Sequence, residues 1–82
     1  MATSPYDPRH EELVRRLRAA RHRRNLTQAE VAEVLNLPQS VISRLEAGQR
    51  KVSAIELRDL SELFGVPMER LVPEAGWKPR RR

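Results

Sequence analysis

Residues 28–47 read QAEVAEVLNLPQSVISRLEA, and this stretch decides the fold. Two apolar series run through it at helical spacing: Val31, Ala32 and Leu35 first, then Ile42 and Leu45. Residues three and four apart share one face of a helix, so each half of the stretch buries one side. Asn36, Leu37 and Pro38 separate the two halves. Asn tolerates the left-handed backbone that stops a helix, and the reading is two short helices joined by three or four residues. Ala32 is small where the two must cross closely. The second helix keeps one face free, made of Gln39, Ser40, Ser43, Arg44 and Ala47.

That free face has a definite chemistry. Gln can pair bidentately with adenine N6 and N7, and Arg with guanine O6 and N7. Serines serve a base edge or a phosphate. No carboxylate stands among them to repel phosphates; the nearest, Glu46, sits beside the inward Leu45. The plain alternative for each is a solvated side chain, strongest for Ser40 and Ser43, since exposed serines are common.

Outward from this centre the chain continues as helices. Asp7 followed by Pro8 is a helix start, a carboxylate cap and then a proline whose missing N–H costs nothing. From there to about Arg24, Leu13, Leu17 and Ala20 recur on one face, and Asn25 is a left-handed stop. Thr27-Gln28-Ala29-Glu30 and Ser53-Ala54-Ile55-Glu56 are capping boxes. The second opens a helix to Phe64 with Ile55, Leu57, Leu60, Leu63 and Phe64 apolar, and Gly65 ends it. Pro67 opens a short fifth helix through Leu71 or Val72. Gly48 stops the third, which runs from Pro38 to about Ala47. His10 and His22 read as surface residues of the first helix. The fold class is all-α, a compact five-helix bundle with a helix-turn-helix at about 28–47. Residues 1–7 are a loose arm, 8–73 the domain, and 74–82 a basic tail.

Composition bounds the function. The 82 residues are 39% hydrophobic and 33% charged, enough for one small, highly solvated domain. No apolar run approaches the ~20 residues that span a bilayer and no signal-peptide pattern opens the chain, so a cytoplasmic, nucleoid-associated bacterial or phage protein is expected. With no cysteine and two histidines, thiolate chemistry is excluded, and neither a metal site nor a cofactor is expected. Nothing pairs the carboxylates with a nucleophile, so no enzyme is expected. Sixteen Lys and Arg against eleven Asp and Glu give a net charge of +5, and fourteen of the sixteen are Arg. An Arg-rich codon usage would explain the excess equally well, but not its distribution. Residues 1–25 hold seven basic and three acidic side chains; residues 53–75 hold two and five. A surface polarised in this way attracts a polyanion. Arg23, Arg24, Arg50 and Lys51 are candidates for general phosphate attraction.

In order and spacing, these pieces resemble the Cro and phage-repressor (XRE-type) helix-turn-helix family. The pieces are Leu26-Thr27-Gln28, the spacing to Ala32 and Asn36, Gln39-Ser40, Ser43-Arg44-Leu45-Glu46-Ala47-Gly48 and Leu63-Phe64-Gly65-Val66. The likeness spans about residues 13–72. It implies a lambda-repressor-like domain that binds double-stranded DNA as a symmetric dimer, with the third helix in the major groove. Carried over, Gln39 leads base reading, with Ser40, Ser43 and Arg44 secondary. Gln28 binds phosphate and braces Gln39, and the Gly48-Gln49-Arg50-Lys51 loop follows the backbone. Arg21 and Glu46 fall where the family has a partly buried ion pair. Val66, Met68, Leu71, Val72 and Trp77 exceed what the terminal segment needs for packing and supply the homodimer interface. Two positions depart from the pattern. Asn36 replaces the usual Gly. Pro38 stands where a hydroxyl cap is usual, so either Leu37 caps the third helix or its start is shifted.

The implied function is a transcription regulator, a repressor on a palindromic operator. An antitoxin with a toxin partner, or a restriction–modification controller, would share the fold. A protein-interaction adaptor would instead carry a face depleted of Gln, Ser and Arg.

Overall fold

The computed structural model describes residues 7–74. Apart from Asp7, the N-terminal arm lies outside the described residues, as do Trp77 and Arg80-Arg81-Arg82. Five helices follow in order: α1 (Pro8–Arg23), α2 (Gln28–Leu35), α3 (Gln39–Glu46), α4 (Ala54–Phe64) and α5 (Met68–Leu71). The fold is all-α, as the periodicity predicts.

Local chemistry sets each boundary. The Asp7 carboxylate accepts the Arg9 amide at 2.8 Å, and Pro8 is the first residue of α1. Thr27 and Ser53 make complete capping boxes with Glu30 and Glu56. The first four helices then stop in one way. Asn25, Asn36, Gly48 and Gly65 take φ of 56°, 57°, 76° and 69°. The amide after each donates five residues back: Leu26 to Arg21, Leu37 to Ala32, Gln49 to Arg44 and Val66 to Ser61. This is the Schellman closure, which needs a residue tolerant of the left-handed region and satisfies carbonyls the helix leaves free. Pro38 is itself the cap of α3, with no side-chain hydrogen bond, so the helix starts one residue late, at Gln39.

The helices meet around one core of Leu17, Ala20, Val31, Ala32, Ile42, Leu45, Leu60, Phe64 and Leu71. α3 packs on α2 and α1, while α4 and α5 close the other side of α1. Val31 has no exposed surface, and a fully buried aliphatic side chain contributes about 1.5–3 kcal/mol.

Three positions differ from the sequence reading. His10 is buried rather than exposed, because it lies four residues before Val14 and seven before Leu17 on the same stripe. Its Nε2 has no hydrogen-bond partner among the described residues. Leu71 is 1% exposed and belongs to the core, not to a dimer interface. A four-residue helix offers little inward surface, and Leu71 occupies it. Ile55, counted with the apolar set of α4, stays 76% exposed.

Candidate nucleic-acid interface

α3 divides lengthwise. Ile42 and Leu45 are buried, while Gln39, Ser40, Ser43, Arg44 and Ala47 are exposed. At about 100° per residue the five exposed positions share an arc of about 140°. None of the four polar side chains there has a hydrogen-bond or ion-pair partner among the described residues. The face is therefore fixed by its buried side and unoccupied on the other, and its donors and acceptors match base edges.

The base of α3 is tied to two other helices through one carboxylate. Glu46 accepts from Arg21 Nε at 2.6 Å, from Arg21 Nη2 at 3.0 Å and from Gln28 Nε2 at 3.0 Å. Arg21 also donates to the Leu26 carbonyl at 2.7 Å, and its Nη2 lies 3.0 Å from His22 Nε2. The two charged side chains are 10% and 8% exposed. Burial pushes the Glu46 carboxyl up, but the hydrogen bonds from Arg21 and Gln28, with the charges of Arg21 and Arg18, outweigh it and hold the group below its usual value. The carboxylate stays ionised and joins α1, α2 and α3 at one point.

Gln28 thus sits at the Glu46 end of α3. It makes no hydrogen bond to Gln39 among the described residues, which removes the predicted brace.

The loop after α3 is also rigidly held. Arg50 forms a bidentate pair with Glu56, Nη1 to Oε1 and Nη2 to Oε2, both 2.8 Å, and donates to the Lys51 carbonyl at 3.2 Å. The hydrogen bond from Arg50, aided by the Ser53 amide, lowers the Glu56 carboxyl to about 2. Arg50 is therefore a loop staple with its charge largely neutralised, unlike the free cation the sequence suggests. Gln49 and Lys51 are the exposed, unengaged side chains of this loop among the described residues. Six residues separate Arg50 from the capping-box Glu56, and the return of the loop to α4 brings them together.

Arg23 and Arg24 are exposed, but they line a groove with the α4–α5 turn that contains no residue of α2 or α3. Beside the end of α3 the structure puts Arg18 instead, in a hollow shared with Val14, Arg15, Ala47 and Gly48. Arg18 went unnoticed in the sequence. Its place three residues before Arg21 on the same helix face is the clue that finds it. Of the apolar set near the C-terminal end, Met68 and Val72 are 41% and 42% exposed, and Val66 is half-buried against the core. Among the described residues no three His, Asp or Glu side chains gather closely enough to hold a metal ion.

Comparison with known proteins follows the same geometry. A helix-turn-helix family model matches residues 17–71. The solved structure of the BldD DNA-binding domain from S. venezulae is similar, with a TM-score of 0.67 and 30% identity over 79% of this chain and 97% of that one. No curated protein matches the chain.

Proposed function

The chain belongs to the XRE-type helix-turn-helix family, and on that premise we propose that it is a sequence-specific transcription regulator, a dimeric repressor of a palindromic operator. The observation that carries this reading is the exposed, unpartnered, carboxylate-free face of α3 on a helix fixed at its base by Glu46. α3 enters the major groove, with Gln39 at the first helical position reading a base edge and Ser40, Ser43 and Arg44 completing the contact. Gln49 and Lys51, with Arg18 on the other flank, meet phosphates. Gln28 gives one amide hydrogen to Glu46 and keeps a second N–H for a phosphate, so it both holds Glu46 and meets the DNA backbone. Met68 and Val72 supply the apolar contact of the two-fold, with half-sites about 34 Å apart.

Selection of binding sites from random duplex DNA tests the reading. The expected outcome is a palindrome with affinity falling steeply as salt rises, because each neutralised phosphate releases counterions. Binding without sequence preference, or no binding at low salt, refutes it. Arg44→Ala should relax preference at one base position per half-site.

A further inference from the structure

Away from α3 the described residues form a broad groove. It encloses about 630 Å³ between the second half of α1 and the α4–α5 turn. Arg15, Arg16, Arg23, Arg24 and Arg70 stand around it. Glu12 pairs with both Arg15 and Arg16 and so offsets one of the five charges, leaving four. Arg16 also donates to the Arg70 carbonyl at 3.2 Å, which joins α1 to α5 along the groove wall. The floor is apolar: Ala19, Ala20, Pro67 and the edge of Phe64. Arg23 is five residues from Arg18, about 140° around α1, so the groove opens away from the flank that meets α3. A phosphate backbone brings nothing to cover an apolar floor. The charge and the mixed lining instead fit a surface carrying both carboxylates and aliphatic side chains.

The same chain carries such a surface. Along α2 and α4, Val34 is 61% exposed at a shallow hollow that Leu35, Leu63, Asp59 and Glu62 also line. Glu30 lies one turn before Val34 on α2. Glu30 accepts the Thr27 amide at 2.8 Å, and among the described residues the one cation paired with these carboxylates is Arg58, 3.7 Å from Glu62 in a well-exposed pair that contributes little. We propose that the arginine groove of one molecule receives the acidic α2–α4 surface of a second copy. The contact joins unlike surfaces, so it is separate from a two-fold through Met68 and Val72 and builds assemblies beyond a dimer. Neither surface includes a residue of α3, so the association leaves the reading face open and does not depend on DNA binding.

Sedimentation of the free protein tests this without DNA. The wild type should form species larger than a dimer at about 50 mM salt and lose them at about 500 mM, where screening is strong. Arg23→Glu with Arg24→Glu, or Asp59→Arg with Glu62→Arg, should each weaken assembly at least about tenfold through like-charge contact. All four substitutions together should restore it. All four side chains are exposed, and thermal melts of each variant check that folding is intact. A mixture of the two double variants gives a second readout. Mixing sets the wild-type groove against a wild-type acidic surface and the swapped groove against the swapped surface, so the two should pair, and amide shifts in the Asp59→Arg/Glu62→Arg protein should fall on α1 and the α4–α5 turn and also on α2 and α4. A wild type that never exceeds a dimer, or a fourfold variant that fails to recover, overturns the proposal, whatever else the groove binds.

Discussion

Replacing Glu46 by Ala removes three acceptor contacts at once, two from Arg21 and one from Gln28. Gln28 is half-buried and can turn to water. Arg21 cannot: its side chain is 10% exposed, and it keeps only the Leu26 carbonyl and the His22 ring. Deleting one member of a buried ion pair costs about 3–5 kcal/mol, and the surviving carbonyl bond argues for the lower end, about 3 kcal/mol. In a domain of this size that lowers the melting midpoint by roughly 10–25 °C. Circular-dichroism melts and urea titrations of wild type and Glu46→Ala measure it directly. The companion variant Arg21→Met/Glu46→Leu should regain most of the loss, because an apolar pair leaves no stranded charge. A loss below about 1 kcal/mol in the single variant, or a double variant as unstable as the single one, would show that the pair does not hold the three helices together.

Acid should unfold the protein by a related route. Glu56 and Glu12 are held at about 2 against an ordinary 4.5, the first chiefly by Arg50 and the second by Arg15 and Arg16. Because the unfolded chain takes up these protons first, the stability these groups contribute, chiefly Glu56 since the Glu12 pairs are exposed and contribute little, is complete above about pH 5 and is lost as pH falls toward 2; melts across that range check it, and Arg50→Gln should flatten the fall. Asn36→Ala should lose about 1 kcal/mol, since φ of 57° burdens a Cβ without the Asn side chain, whereas Asn36→Gly should melt at or near the wild-type temperature. Ser53→Ala should lose about 1 kcal/mol by emptying the α4 cap. Gln39→Ala should leave the melt unchanged within about 0.5 kcal/mol yet reduce discrimination between operators by about 1–3 kcal/mol per half-site in competition binding.

What was legible in the sequence was local. The caps Asp7, Thr27 and Ser53 and the left-handed stops Asn25, Asn36, Gly48 and Gly65 each act within one turn, so reading them required no tertiary knowledge. Arg21 and Glu46 became readable only through the resemblance, for 25 residues separate them in the chain. The failures share one cause. The partner of Arg50 depends on how the loop returns to α4. The burial of Leu71 depends on where α5 docks. His10 is the exception: its spacing to Val14 and Leu17 was in plain view, and its polarity concealed it.

The lengthwise division of α3 sets what can be altered freely. Ile42 and Leu45 answer to the interior, while the side chains at 39, 40, 43 and 44 are exposed and have no hydrogen-bond or ion-pair partner among the described residues. A combinatorial library over those four sites should therefore yield mostly folded members, each with its own target preference. Lineages descended from such a scaffold can diverge in what they recognise long before they diverge in how they fold.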